Sequence, residues 1–202
     1  MKGKLLLGIL FWLLILGPMG VASATILTFD DHPDTAQNSW GRIGSYGGFD
    51  FGCSNSNNRL EWIDTVSSSW DYGAISGDFT MVNAFHGSGI ITSSSGGLFT
   101  FDGLWSRIWG TNPINRKVNI DGYLDGTLVW SSSYTLTQAW SHLAGGSGLI
   151  DELYLNYGTN FLVDNLALNK SGSIPTPEPS TMLLLGSGMV GLVGAARKKL
   201  KK

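Results

Sequence analysis

Residues 117–131 read KVNIDGYLDGTLVWS, and this stretch decides the fold class. Val118 and Ile120 alternate with polar residues ahead of the Asp125-Gly126 pair, and a second strand-like run, 127–131, follows that pair. Period-two alternation gives a strand one apolar face, and Asp-Gly between two such runs is a strong signal for a tight hairpin turn. The stretch therefore predicts an antiparallel β-hairpin.

Short runs of the same kind, bounded by glycine, recur along residues 25–170. The candidate strands are 25–29, 48–52, 79–85, 89–92, 97–101, 104–109, 117–123, 127–131, 149–157 and 160–168. The chain has 28 glycines, six prolines and only 14% charged residues, a composition typical of strands joined by turns. About ten strands in one domain of this length favour an all-β, antiparallel β-sandwich of jelly-roll-like form over a closed barrel.

The charges are divided between the two ends and the middle of the chain. Seven of the 13 lysines and arginines lie in residues 1–4 and 197–202, whereas all 15 acidic residues lie between Asp30 and Glu178. The middle therefore has six basic against 15 acidic residues, a net charge of −9. Nucleic-acid binding requires a clustered basic face, so the composition excludes nucleic acid as a partner.

The first 24 residues have the three parts of a secretory signal peptide. A short basic leader precedes an unbroken apolar run of 12 residues, 5–16, and Ala22 and Ala24 then supply the small residues that signal peptidase requires. We expect export by the Sec machinery and cleavage after Ala24. The alternative is an uncleaved membrane anchor, but 12 residues fall short of the roughly 20 that a spanning helix needs.

The other end of the chain predicts a transmembrane helix over 180–196, followed by a basic tail, 197–202. The helix segment is apolar and uncharged, and its 17 residues reach the lower limit for a membrane span. Five of the six tail residues are cationic. By the positive-inside rule the tail stays in the cytoplasm, so the predicted sandwich, 25–170, and the linker, 171–176, lie outside the inner membrane.

Pro177-Glu178-Pro179 directly precedes this predicted helix, and the prolines keep the segment extended and without backbone donors. The order of a Pro-Glu-Pro motif, a short glycine-containing helix and a basic terminus resembles the PEP-CTERM sorting domain of Gram-negative bacteria. The resemblance implies that an exosortase recognises Pro177, Glu178 and Pro179 and removes the helix. It implies an inner-membrane-anchored precursor with a periplasmic ectodomain, and then a location at the cell surface or outside the cell.

Residues 25–170 also resemble the jelly-roll ectodomains of some PEP-CTERM proteins, on short matches that include 27–31, 46–51, 122–126 and 161–166. In related carbohydrate-binding jelly rolls the first and last strands are neighbours, and an Asp of the last strand helps to bind a structural calcium ion. The resemblance thus implies a calcium site formed by Asp30, Asp31, Asp164 and Asn165, with oxygen ligands as Ca²⁺ prefers. The alternative is that these side chains cap turns by accepting hydrogen bonds from the backbone.

Seven tryptophans fall within the predicted sandwich, and three residues of one strand suggest a ligand surface. Trp105, Arg107 and Trp109 share one face of the predicted strand 104–109, and sugar rings stack on exposed aromatic side chains. An arginine between the tryptophans favours a solvent-facing side, so the trio is a candidate glycan site. The alternative is core packing, because tryptophan is usually buried.

The sequence contains no recognisable catalytic arrangement. Its three histidines are isolated, its single cysteine, Cys53, is expected to be a small buried residue, and no nucleophile motif is present. Asp151 and Glu152 are adjacent, so in a strand they point to opposite faces. We therefore expect a non-catalytic surface or extracellular-matrix protein associated with exopolysaccharide or biofilm. A carbohydrate-binding module is the alternative, and a glycoside hydrolase is the third candidate.

Overall fold

The computed structural model describes residues 24–54, 59–111 and 114–170. The predicted signal peptide up to residue 23, the linker and the sorting signal lie outside these residues, and so does the predicted helix 180–196. Within the described ranges, no helix is long and apolar enough to cross a membrane.

The described residues form thirteen β-strands in two antiparallel sheets. Sheet A contains β1 (Thr25–Leu27), β2 (Trp40–Arg42), β5 (Glu61–Asp64), β6 (Phe79–Asn83), β8 (Phe99–Ile108), β11 (Ser141–Ala144) and β13 (Phe161–Lys170). Sheet B contains β3 (Ser45–Tyr46), β4 (Phe49–Cys53), β7 (Gly89–Ser93), β9 (Arg116–Leu124), β10 (Thr127–Leu136) and β12 (Glu152–Asn156). The strand order is β11-β8-β13-β6-β5-β2 in sheet A, with β1 also on β13, and β10-β9-β12-β7-β4-β3 in sheet B.

The two sheets pack face to face on one core, which confirms the predicted all-β, jelly-roll-like sandwich. Alternate side chains of every long strand point inward, and the largest of those that are fully buried include Phe49, Phe99, Phe101 and Phe161. Burying one such side chain stabilises the fold by about 1.5–3 kcal/mol. Every described strand and every described residue of this core lie within residues 24–170, so that fragment contains the contacts that the structure describes for the sandwich.

The hairpin that the sequence predicts is present as β9 and β10. Leu124 pairs with Thr127 across the two-residue turn, and both turn residues have positive φ, 50° for Asp125 and 71° for Gly126. Asp and Gly tolerate this conformation better than other residues, which is why this dipeptide specifies the turn. Cys53 is buried, at 2% exposure, as expected.

Other strand boundaries were predicted wrongly. The candidates 97–101 and 104–109 form one continuous strand, β8, because Gly103 stays within the ladder, opposite Ala144 and Ala167, although its φ is 143°. The sequence analysis also missed β2, β3, β5 and β11. These strands have two to four residues each, too few to show a period, and β5 begins and ends with the buried polar residues Glu61 and Asp64.

The outer faces of the two sheets differ in what covers them. Residues 65–78, named here the covering loop, lie over sheet A, where Ile63, Val82 and Leu162 pack against Trp70 and other aromatic side chains. The outer face of sheet B, named here the open face, carries partly exposed side chains along β4, β7, β9 and β12. The open face is therefore accessible to a ligand along these four strands.

Candidate functional site

The open face carries two rows of side chains that cross four strands. Antiparallel pairing puts Tyr154 of β12 beside Asp121 of β9 and Ile90 of β7, and Ile90 beside Gly52 of β4. The second row, from the same three pairings, is Tyr123, Glu152, Thr92 and Asp50. Neighbouring strands lie about 4.8 Å apart, so each row extends roughly 14 Å.

Two tyrosines form the aromatic part of the open face. The rings of Tyr123 and Tyr154 have centroids 4.9 Å apart and are tilted by 57°. Burial, together with the nearby Glu152 carboxylate, raises the pKa of Tyr154. Its phenol thus remains protonated at neutral pH, and it offers a ring face and a hydroxyl that donates and accepts hydrogen bonds.

A carboxylate fixes the polar part of the open face across three strands. Asp121 is 8% exposed; one of its oxygens accepts a hydrogen bond from Ser131 Oγ of β10, and the other accepts one from Asn156 Nδ2 of β12. Ser133 Oγ likewise donates to Asn119 Oδ1 at 2.7 Å. These bonds hold the polar side chains in fixed positions before any ligand arrives, which lowers the entropic cost of binding.

A groove of about 400 Å³ continues the open face toward β3 and β4. Its lining consists of Arg42, Gly44, Ser45, Asp50, Phe51, Gly52, Ile90 and Thr92. Asp50 Oδ1 accepts hydrogen bonds from Ser45 Oγ and from Ser94 Oγ, and these two bonds lower the pKa of the Asp50 carboxyl. The groove thus combines an ionised acceptor, a cation and the apolar side chain of Ile90.

Sheet A holds the glycan site that the sequence predicted, and the structure buries its central residue. Arg107 is 9% exposed; its Nη1 donates to the carbonyl oxygen of Tyr72 at 2.7 Å, and its guanidinium carbon lies 5.0 Å from the centre of the Tyr72 ring. The expectation that this face is open at Arg107 was wrong, because the covering loop folds over it.

The two tryptophans of that trio are partly buried on sheet A. Trp109 packs edge-on against Tyr72, with ring centroids 4.9 Å apart, and Trp105 packs against His142 of β11 at 5.4 Å. The burial of Arg107 lowers its pKa, although the electrostatic interaction with Tyr72 acts in the opposite direction. Arg107 and Trp109 therefore hold the covering loop at Tyr72. Glycan contact by Trp105 and Trp109 stays a prediction.

The residues proposed to bind calcium have other partners. Asp164 and Asn165 lie at a bulge in β13, beside β1, so the first and last strands are neighbours as the resemblance implied. Asp164 Oδ2 accepts hydrogen bonds from the backbone N–H groups of Ile75 and Ser76, at 2.7 and 2.9 Å. These donors present hydrogen atoms, and not lone pairs, to the space that a cation would occupy.

Asp30 and Asp31 of the proposed calcium site also accept hydrogen bonds from other residues. Asp30 Oδ1 accepts from the backbone N–H groups of Asp78 and Phe79, and Asp31 accepts from the hydroxyl of Tyr46. Among the described residues, no three or more His, Cys, Asp or Glu side chains are placed to hold a metal ion. The four residues do not fit a calcium ion. Asp30 and Asp164 accept from backbone N–H groups of the covering loop, as the turn-capping alternative expected, and Asn165 accepts from the hydroxyl of Ser76.

The adjacent acidic residues Asp151 and Glu152 have different positions and contacts. Asp151 Oδ2 accepts from the backbone N–H of Asp125 and supports the hairpin turn, whereas Glu152 lies on the open face. The open-face residues themselves were missed at the sequence level. The alternation in β12, with Leu153 and Leu155 inward, was enough to place Tyr154 on an outer face. The sequence did not reveal which strands are neighbours, so the residues beside Tyr154 could not be predicted.

Comparison with known proteins identifies the C-terminal segment of the chain. Residues 175–199 match the PEP-CTERM protein-sorting motif. The chain carries this motif. It implies an exosortase-sorted surface protein, exported as a membrane-anchored precursor. No curated protein shows significant sequence similarity to the chain.

Solved structures similar to this chain include carbohydrate-binding modules. A tandem CBM22 domain from Paenibacillus barcinonensis aligns with 10% identity and a TM-score of 0.43, covering 77% of this chain and 51% of that one. A single xylan-binding CBM22 domain from the same organism gives 12% and 0.39, covering 66% and 99%. The module TmCBM61, solved with beta-1,4-galactotriose, gives 9% and 0.36, covering 63% and 92%. These scores are too low to carry an argument about a ligand.

Proposed function

We propose that this protein is a non-catalytic component of the cell surface or extracellular matrix that binds polysaccharide through the open face. The single observation that carries the proposal is the pair of cross-strand rows, which place two tyrosines, fixed carboxylates and an apolar side chain on one exposed sheet. In this account the PEP-CTERM motif provides the route to the surface, and the sandwich provides the attachment to exopolysaccharide.

The tyrosine pair and the fixed acceptors match the two chemical properties of a sugar ring. Pyranose rings have flat C–H faces, which pack on Tyr123, Tyr154 and Ile90, and peripheral hydroxyls, which donate to carboxylates. Asp50 and Asp121 already accept two hydrogen bonds each, and further lone pairs remain for a ligand. A pre-formed apolar surface with a few convergent polar groups is the usual composition of a small-molecule site.

The charges of the open face favour a neutral polysaccharide over an anionic one. Asp50, Asp121 and Glu152 lie along the two rows, whereas the cations are Arg42 in the groove lining and the exposed Lys117 of β9. The middle of the chain also carries a net charge of −9. Uronate-rich or sulphated polymers are repelled by such a surface, and this repulsion weakens as salt is added.

The Asp50 carboxylate does not fit the general acid of a glycoside hydrolase. Hydrolysis requires one carboxylic acid whose pKa is raised, so that it can protonate the leaving oxygen. The two hydroxyl donors on Asp50 instead lower its pKa and keep it ionised. The release of reducing sugar from the host's own exopolysaccharide would contradict this part of the proposal.

Affinity electrophoresis of the 24–170 fragment in gels that contain the host's exopolysaccharide tests the binding face. We expect retardation of the wild type and about a tenfold weaker interaction for Tyr154→Ala, since an aromatic contact contributes roughly 1 kcal/mol or more. Trp105→Ala and Trp109→Ala on sheet A are the matched controls and should migrate like the wild type. Loss of retardation in the tryptophan variants, with Tyr154→Ala unaffected, would place the site on sheet A.

The proposed route has its own test. We propose that the Sec machinery exports the chain, that signal peptidase cleaves after Ala24, and that exosortase acts at Pro177-Glu178-Pro179 while residues 197–202 remain in the cytosol. Mass spectrometry of the mature protein should then find Thr25 at the N-terminus and no residues from 180–202. A mature protein that retains both ends would contradict the route and leave the binding proposal untouched.

A further inference from the structure

Strand β10 forms a long edge of sheet B. It pairs with β9 on one side, and its ten residues, Thr127–Leu136, make it the longest strand at any sheet edge among the described residues. The turn at Asp125-Gly126 fixes which backbone groups face β9. From this register, the N–H and C=O groups of Ser131, Ser133 and Thr135 point away from β9. Within residues 24–54, 59–111 and 114–170, they have no backbone partner.

The other four edge strands of the described residues are protected in the way that monomeric proteins usually protect them. β3 has two residues, β1 has three, β2 has three and ends with Arg42, and β11 has four. Short length and charged side chains discourage the addition of a further strand. β10, in contrast, contains no charged residue and no proline along its whole length. An unprotected edge of this length is a surface for pairing with another strand.

We propose that the occupant of this edge is a second copy of the chain, added antiparallel about a two-fold axis. The sequence of β10 is self-complementary in that arrangement. With Ser132 on the axis, Ser131 faces Ser133 of the second copy, Trp130 faces its Tyr134, and Val129 faces its Thr135. Polar residues thus meet polar residues and aromatic meets aromatic, as stable cross-strand pairs require.

Exposed apolar residues at the start of β10 support the same arrangement. Leu128 and Val129 are 50% and 45% exposed, and Leu149, which follows Gly148 near Val129, is 40% exposed. In the two-fold pairing, this end of β10 lies against the far end of the second copy's strand, so the exposure of Val129 decreases. The two six-stranded sheets then join into one sheet, and the two open faces lie side by side on it.

Sedimentation equilibrium of the 24–170 fragment tests the proposal, with Ser133→Lys as the variant. Ser133 is exposed and its backbone N–H faces away from β9, so lysine there keeps the backbone ladder to β9 and loses only the exposed side-chain bond to Asn119. It brings two cations together across the axis. We expect the wild type to reach twice the monomer mass as concentration rises and Ser133→Lys to remain monomeric. Ala144→Lys, an exposed position on the short edge β11, is the matched control and should behave like the wild type.

A second variant covers the case in which Ser133→Lys does not fold. Ser133→Pro removes an outward N–H and no backbone bond to β9, although it also loses the exposed side-chain bond to Asn119. Near-ultraviolet circular dichroism of the buried aromatics reports whether each variant is native. A folded Ser133→Pro that is monomeric supports the proposal. A wild type that stays monomeric at every concentration overturns it, and so does a dimer that persists in the folded Ser133 variants.

Discussion

Replacement of Arg107 by methionine separates a structural role of this side chain from a ligand-binding role. Methionine has a similar length and fits among aromatic side chains, but it cannot donate to the carbonyl oxygen of Tyr72. We expect Arg107→Met to destabilise the sandwich, because the guanidinium fastens the covering loop to sheet A. Polysaccharide binding by the open face, on the opposite sheet, should not change.

The magnitude follows from the contacts of Arg107. A hydrogen bond from a charged group to a buried carbonyl contributes about 1.5–3 kcal/mol, and the cation–π contact with Tyr72 adds roughly 0.5–2 kcal/mol. Part of this lost free energy is recovered in the variant, because burying methionine does not require the desolvation of a cation. A net loss of about 3 kcal/mol in the free energy of unfolding lowers the melting temperature of a domain of this size by roughly 6–12 °C.

Urea denaturation of the 24–170 fragment measures this loss, with Arg116→Met as the matched control. Arg116 is exposed on β9, so its replacement should change the free energy of unfolding by less than about 0.5 kcal/mol. Hydrogen exchange should become faster at residues 70–76 in Arg107→Met alone, because these residues lose their attachment. If Arg107→Met were as stable as Arg116→Met and bound polysaccharide more weakly, Arg107 would not fasten the covering loop. The glycan site predicted at Trp105, Arg107 and Trp109 would then be supported.

Three further outcomes are expected. Burial acts to raise the pKa of Asp64, but the hydrogen bonds that its carboxylate accepts from three backbone N–H groups outweigh burial and lower the pKa. The ionised Asp64 therefore stabilises the fold fully above about pH 4, and this stabilisation is lost as the pH falls through the pKa of the folded state. The difference in free energy of unfolding between wild type and Asp64→Ala, measured by denaturation from pH 7 to pH 2, should therefore shrink on acidification. Gly122→Ala would place a methyl group 2.3 Å from the indole of Trp130, so its melting temperature should fall, and a normal value would show that the indole can move. Millimolar Ca²⁺ and EDTA should both leave the melting temperature of the 24–170 fragment unchanged, and a rise in Ca²⁺ that EDTA reverses would show that the carboxylates around the covering loop do bind the ion.

The sequence predicted the local features of the sandwich because those features depend on neighbouring residues. The Asp125-Gly126 turn and the alternation of Leu153 with Leu155 are set by backbone sterics and by burial of one strand face, and both have short ranges along the chain. The PEP-CTERM motif was also recognisable, since it is a contiguous segment. These features were enough for the fold class and for the sorting motif.

The candidate site depended on contacts that no local pattern contains. Tyr154 comes to lie between Asp121 and Ile90 only through the strand order of sheet B, which joins residues more than 30 positions apart. The error at Arg107 has the same origin. The strand pattern placed Arg107 on an outer face correctly, but the covering loop that buries it is attached through the distant residues Asp30 and Asp164.

The most direct test of the proposed function is an amide NMR titration of the 24–170 fragment with oligosaccharides prepared from the host's exopolysaccharide. The largest chemical-shift changes should fall on the open face, at residues 119–123, 152–156, 90–92 and 50–52. Changes concentrated at residues 70–72 and 105–109 on sheet A, or no changes at saturating sugar, would contradict the proposed function.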